Sequence, residues 1–345
     1  MAEPPSVVRE VLHDYGAVVR EAVRAYLPAA EPRRYLYDLV ADYPGRGGKM
    51  MRPSLCIAVA RALGAPLDPL LIAAATSIEL MHNAMLVHDD IEDDSDRRRG
   101  QPTLHSLWGV AMAINAGDAL ALTSLRPLLG AAAHVDPRLA LGILEETEHM
   151  ARESAEGQAL ELGWRADNVV DLVEHDYFEM VLKKTCWLAT IHPVRLGALI
   201  AVSGRVDPTA FVRFGFLLGA AFQIQDDVLN LAGDEAAYGK EAWGDLREGK
   251  RTLMLIRLLQ VASADDRARV VAHLGAPLAA RGAADVRWLH DRLVEHDCID
   301  YARAVARELA AAARDELARL FRPVPPSRDR AFVEGLVDWV VDRAS

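Results

Sequence analysis

Two of the most apolar stretches in this chain run straight into adjacent aspartates, and no other feature constrains the fold as much. Leu80 to Val87 precedes Asp89-Asp90-Ile91-Glu92-Asp93, and Phe216 to Ile224 precedes Asp226-Asp227-Val228-Leu229-Asn230. The clusters lie 226 − 89 = 137 positions apart. Carboxylates are costly to bury unless paired or bound to a cation. Two such clusters at the ends of core helices predict a fold that turns both toward one shared cation site.

On a helix, Asp89 and Asp93 project from one face, with Asp90 about 100° around. Asp226 and Asn230 repeat the spacing. Carboxylate and amide oxygens are hard ligands that suit Mg²⁺, which keeps several waters and is completed by phosphate oxygens. No Cys/His set with zinc spacing competes.

Abundant Ala and Leu, with aromatics at 6 % and hydrophobic residues at 51 %, favour an all-α chain with a sizeable core. The net charge of −11 argues against nucleic acid as a partner. Cys56, Cys186 and Cys298 are widely spaced and odd in number, which predicts a reducing cytoplasm. The start from Met1 to Ser6 lacks the apolar segment of a signal peptide. Apolar stretches such as Phe214 to Ile224 fall short of the roughly 20 residues that span a bilayer. A protein that does not span a membrane is expected.

Helical periodicity recurs throughout. Val7, Val11, Tyr15 and Val18 mark a first helix, broken at Pro28 to Arg33. Pro53 opens a helix to about Leu63, and Asp68 caps the next. Further helices are predicted at Asn115 to Ala133, Pro137 to Trp164, Val169 to Ser203 with a kink at Pro193, and Pro208 to Leu231. Gly233 to Gly249 reads as a loop of functional length. Four more helices follow, the last with Phe332, Leu336 and Val340 on one face. No strand pattern stands out, and residues 1–345 read as a single domain, with a core of about 45–255 and C-terminal helices of about 256–345.

Basic residues recur beside the acidic ones. Gly47-Gly48-Lys49 with Arg52 sets two cations after a permissive loop at a helix start, a natural anion site. Arg97-Arg98-Arg99 follows the first cluster, and Lys184-Thr185 interrupts an apolar helix. Gly239-Lys240 and Gly249-Lys250 flank the loop after the second cluster. Together they offer a place where phosphate meets both Mg²⁺ and Arg or Lys.

These elements, in order, resemble the trans-isoprenyl diphosphate synthases, most of all those that make geranylgeranyl diphosphate. The matching segments are Gly47-Gly48-Lys49-Met50-Met51-Arg52-Pro53, Glu79-Leu80-Met81-His82, His88 to Asp96, Arg98-Arg99-Gly100 and Gly157-Gln158. Further on come Lys184-Thr185, Phe222 to Asp227, Gly239-Lys240 and Gly244-Asp245 to Gly249-Lys250-Arg251-Thr252. They cover roughly residues 45 to 255. The resemblance implies an all-α bundle around a deep central cavity, a cytoplasmic homodimer and head-to-tail condensation of isopentenyl diphosphate with an allylic diphosphate.

By the same resemblance, Asp89, Asp90, Asp93 and Asp226 would bind Mg²⁺, three ions once the allylic diphosphate is in place. Arg98, Lys184 and Lys240 would hold that diphosphate. Lys49, Arg52, His82 and Arg99 would hold isopentenyl diphosphate, while Thr185, Gln223 and Lys250 match other substrate-contacting positions. No protein base stands out, so the released diphosphate is expected to take the proton. Met50 stands where the family often has Arg, and Asn230 replaces a third aspartate as a neutral ligand. His88 reads as structural, and Trp108, Trp164 and Trp187 read as packing residues.

The growing chain is expected to run down the apolar face before Asp89, one isoprene unit spanning about one helical turn of about 5 Å. Its floor would be Met81, Ala84 and Met85; in the family, aromatic residues at the positions of Ala84 or Met85 shorten the product. Small Ala84 and flexible Met85 predict C20, with C15 or C25 and longer as alternatives. A terpene cyclase would want an Asn/Ser/Glu triad at the second cluster. A catalytically silent subunit would be expected to lose one cluster, and a His-Asp phosphohydrolase would leave the second unexplained.

Overall fold

A computed structural model of the chain describes residues 6–201, 208–232 and 243–342. The first aspartate helix, Pro69–Glu92, is capped as expected: the Asp68 carboxylate accepts the Leu71 amide at 2.9 Å, with Pro69 in the first turn. Every residue from 73 to 81 is buried. A helix apolar all round belongs inside a bundle, and this one packs between Met51–Ala62 and Val110–Ser124. It is also the one described helix long and apolar enough to cross a membrane, and 72 % of its most apolar window is covered by neighbours. This helix exceeds the shorter apolar lengths expected from the sequence.

The second aspartate helix, Val212–Ala232, packs on Cys298–Leu320 and on the helical run Leu182–Ile191. It contributes to both large apolar clusters. One holds the N-terminal helices, Phe214, Leu218 and the C-terminal helix, and the other holds Ile224, Val228 and the helices from Leu253 to Ala306. Among the described residues the only strands are the two-residue pair Arg97–Arg98 and Gln101–Pro102, joined antiparallel. Arg99 and Gly100 at its tip both have positive φ, 54° and 75°, the conformation of a tight two-residue hairpin turn.

Several boundaries differ from expectation for identifiable reasons. The first helix, Ser6–Tyr26, buries Val8 and Val19 fully and leaves Val7 and Val18 only partly covered. Pro127 divides the expected 115–133 helix into Val110–Ser124 and Arg126–Ala132. The helix expected from Val169 begins at Glu174, because the Asp176 side chain accepts the Val173 amide and starts it there. It continues through a widened π-helical run, Leu182–Ile191, into His192–Ala201. Pro193 has no amide hydrogen, and its ring crowds the carbonyl four residues back, so the strain appears as widened turns. Among the described residues five α-helices and a short 3₁₀ turn follow residue 252, where four helical stretches were expected. Trp187 is buried, whereas Trp108 is 48 % exposed.

Candidate active site

The two aspartate helices meet along a cavity of about 1010 Å³. Asp89 lines it from the first aspartate helix and Asp226 and Asp227 from the second, with Asp245 close to Asp227. Lys184 lies between, its Nζ 2.9 Å from Glu161 and 3.4 Å from Asp89. Burial alone would lower the Lys184 amine, but Glu161 and Asp89 outweigh it and hold the group protonated. The position of Lys184 depends on Gly157. A Cβ at residue 157 would stand 2.1 Å from the Lys184 amide nitrogen, so only glycine lets Pro137–Ala166 approach the π-helical run.

Asp90 and Asp93 are in different surroundings from Asp89. Asp90 is fully buried: Tyr43 donates to Oδ2 at 2.5 Å, and Arg98 donates to both oxygens. Arg98 Nη2 also reaches Asp89 at 3.2 Å. The tight hairpin aims Arg98 inward at these two carboxylates. Asp93 meets Arg165 at 2.9 Å and Lys250 at 2.8 Å. Burial opposes its charge, but Lys250, with Lys184 and Arg165, prevails and holds the carboxyl below its ordinary value.

On the second helix, Asp227 accepts from Tyr177 at 2.9 Å and Gln223 at 2.7 Å. Burial, with Asp245 nearby, pushes its pKa up to about 8. Gln223 also accepts from Thr185 at 2.8 Å, which ties the π-helical run to the second cluster. Lys250 joins Asp93, Glu248 and Asp245, so one ammonium bridges both walls.

A second basic region opens beside the first. Lys49, Arg52, His82 and Arg99 all line the cavity there. Gly47 and Gly48 have φ of 79° and 156°, letting the loop turn into Met51–Ala62. Met50, at φ 55°, is buried against Gly16. Burial, followed by Arg52 and Arg99, keeps His82 well below its ordinary pKa and therefore neutral. Beneath lies Glu79, 4 % exposed, accepting from Asn83 at 3.0 Å. Burial raises its carboxyl against the pull of Arg52.

At the apolar end, Met85 lines the cavity with Ser154, Ala155 and Leu188. Met81 packs in the cluster with Met150 and Trp187, and Ala84 is buried in the other cluster, neither among the lining residues. Lys240 lies outside the described residues. His88 sits at the rim, 3.3 Å from Asp118.

Glu79, Asp245, Arg165 and Trp339 carry no role in the sequence reading, yet they border or brace this site. Glu79 and Asp245 stand inside the matching motifs, so the motif match could have flagged them. Trp339 reaches the cavity from the C-terminal helix Arg328–Asp342, its ring 5.6 Å from Lys49. No sequence signal announces that contact, since it spans nearly the whole chain.

Among the described residues no three carboxylate, thiol or imidazole groups converge as a ready-made coordination sphere. Hard oxygens on facing walls, open to the cavity at Asp89 and Asp226, suit a cation whose sphere is completed by ligand oxygens. The arrangement can bind an anion through cations on two sides, beside a separate basic pocket and an apolar extension.

The profile of the polyprenyl synthetase family matches residues 33–288. A short chain isoprenyl diphosphate synthase of Methanothermobacter thermautotrophicus is 33 % identical over 337 residues, covering 97 % of this chain and 98 % of that protein. A geranylfarnesyl diphosphate synthase of Aeropyrum pernix is 33 % identical, covering 90 % and 98 %. The crystal structure of geranylgeranyl pyrophosphate synthetase from Pyrococcus horikoshii aligns with a TM-score of 0.83 at 33 % identity, covering 97 % and 98 %. That of a Corynebacterium glutamicum geranylgeranyl pyrophosphate synthase, complexed with isoprenyl diphosphate and magnesium, aligns at 0.84 and 25 %, covering 97 % and 99 %.

Proposed function

This chain belongs to the polyprenyl synthetase family and is a prenyltransferase, and from that premise we propose that it condenses isopentenyl diphosphate with an allylic diphosphate to make all-trans geranylgeranyl diphosphate, C20. One observation carries the reading. A single cavity joins facing carboxylates with interposed cations, a second basic pocket and an apolar end.

Asp89 and Asp226 would hold Mg²⁺ against the allylic diphosphate, with Asp90 and Asp93 in the same cluster and three ions in the loaded site. Held by these carboxylates, Mg²⁺ would supply neutralisation of the charge that develops as diphosphate leaves. Arg98, Lys184 and Lys240 bind the same diphosphate. Lys49, Arg52, Arg99 and neutral His82 hold isopentenyl diphosphate with its double bond beside the allylic carbon. Thr185 and Gln223 fix the wall between the two substrates, and Lys250 bridges the clusters. Loss of a proton, taken by the departing diphosphate, completes a product five carbons longer.

The chain-length floor is Met85, braced by Met81 and Ala84 beneath. The exposed apolar residues Leu107, Trp108, Val110 and Ile114 support a homodimer through the Val110–Ser124 helix. A single domain in the cytoplasm fits the same reading.

Purified protein incubated with Mg²⁺, isopentenyl diphosphate and each allylic primer from C5 to C15 should yield a C20 product. Met85→Phe should shorten it by one isoprene unit. Absence of any prenyl diphosphate product would overturn the reading, and a C25 product would move the floor deeper.

A further inference from the structure

We propose that Asn230 is a positioning residue that tethers Asp245 to the end of the second aspartate helix, rather than a ligand in its own right. Asn230 is 3 % exposed and is not among the cavity-lining residues. Its Oδ1 accepts the Asp245 amide at 3.2 Å, and its backbone carbonyl accepts the Trp243 amide at 3.2 Å. The Trp243 indole donates to the Leu231 carbonyl at 3.0 Å and stacks on His290 with ring centroids 4.5 Å apart. The chain is therefore fastened to the helix end by three hydrogen bonds, two from Trp243 and one from the Asp245 amide.

The fastening has a direction. Asp245 lines the cavity, and its carbonyl accepts the Lys250 amide at 2.9 Å. Lys250 Nζ lies 3.5 Å from the Asp245 carboxylate and 2.8 Å from Asp93. A continuous path of contacts thus runs from Asn230 on the second helix to Asp93 on the first. Asp245 thus brings a carboxylate to the same cavity as Asp226 and Asp227, where position 230 carries an amide.

Charge explains the amide. A carboxylate at 230 could accept the same N–H, but it would add a negative group beside Asp226, Asp227, Asp245 and Glu248. An amide accepts the hydrogen bond without that cost.

The inference rests on the diphosphate-binding reading only for its kinetic arm. Its structural arm is hydrogen exchange of the free protein, without metal or substrate. Asn230→Ala should speed exchange at the Asp245 and Leu246 amides by about tenfold, while the Leu253–Val261 helix stays protected. Asn230→Asp should keep the slow exchange. In the assay, Asn230→Ala should raise the Mg²⁺ concentration for half-maximal rate by about tenfold, with kcat at saturating Mg²⁺ changed little. If Asn230→Ala does not fold, Trp243→Phe removes one of the other tethers and should loosen the same amides. Unchanged exchange in both variants would overturn the proposal. So would Asn230→Ala and Asn230→Asp weakening Mg²⁺ alike while exchange stays slow, the result for a direct ligand.

Discussion

Asp89 and Asp90 are consecutive residues with opposite surroundings. Asp89 faces the cavity and touches Lys184 and Arg98, whereas Asp90 is sealed by Tyr43 and the Arg98 guanidinium. Asp90 is thus the counter-ion that aims Arg98, whatever else it contacts in the loaded site. Removing one partner of a buried pair leaves the other uncompensated, a loss of about 3–5 kcal/mol. Asp90→Asn is expected to lower the unfolding free energy, measured by urea titration, by that amount before any kinetic effect is read. Asp89→Asn should change stability by under about 1 kcal/mol yet cut kcat/KM by about 100-fold or more. Denaturation and kinetics on the two variants separate the roles, and equal stability losses would contradict the assignment. The motif spacing placed both residues at the site, but which of the two opens to the cavity depends on Tyr43, 47 positions upstream.

The helix start at Asp68 is readable from sequence because capping is local. Asp68 and Pro69, Asp136 and Pro137, and Thr252 all begin helices through side-chain or ring effects within three residues. The π-helical run was not readable, beyond a kink expected at Pro193, because its cause is partly the neighbouring helix. Gly157 lets that helix approach the Lys184 backbone, and the widened turns carry Lys184 and Thr185 into the cavity. Gly157→Ala forces a methyl into 2.1 Å of space. It should cost about 1–3 kcal/mol and, by shifting Lys184, lower kcat by about 100-fold. Thermal unfolding with steady-state kinetics measures both. A variant with wild-type kcat would show that the close approach does not set Lys184.

At the scale of the whole molecule, His192 couples packing to pH. It sits 1 % exposed where the long helix leaves its π-helical run, and burial lowers its pKa from 6.5 to about 4. The folded state therefore binds fewer protons than the unfolded state between these values. Its contribution is fully present above about pH 6.5 and is lost as pH falls toward 4, about 3 kcal/mol in all. His192→Leu removes this titration. The stability difference between pH 7 and pH 4.5 should be smaller in the variant than in the parent, by urea unfolding. An equal difference would show that His192 does not report on acid sensitivity.

The sequence alone determined the helical class, the two carboxylate clusters and the set of cations around them, because periodicity, capping and ligand chemistry are properties of short segments. Tertiary structure decided how those groups are shared out. Asp90 and Asp93 are held by Tyr43, Arg98, Arg165 and Lys250, Asp89 and Asp226 face the cavity, and Asn230 is spent on the Asp245 amide. Burial and partner identity are set by residues tens to hundreds of positions away, brought close only when the helices pack. Trp339 beside Lys49 is one such case, a contact across 339 − 49 = 290 positions that no local pattern encodes.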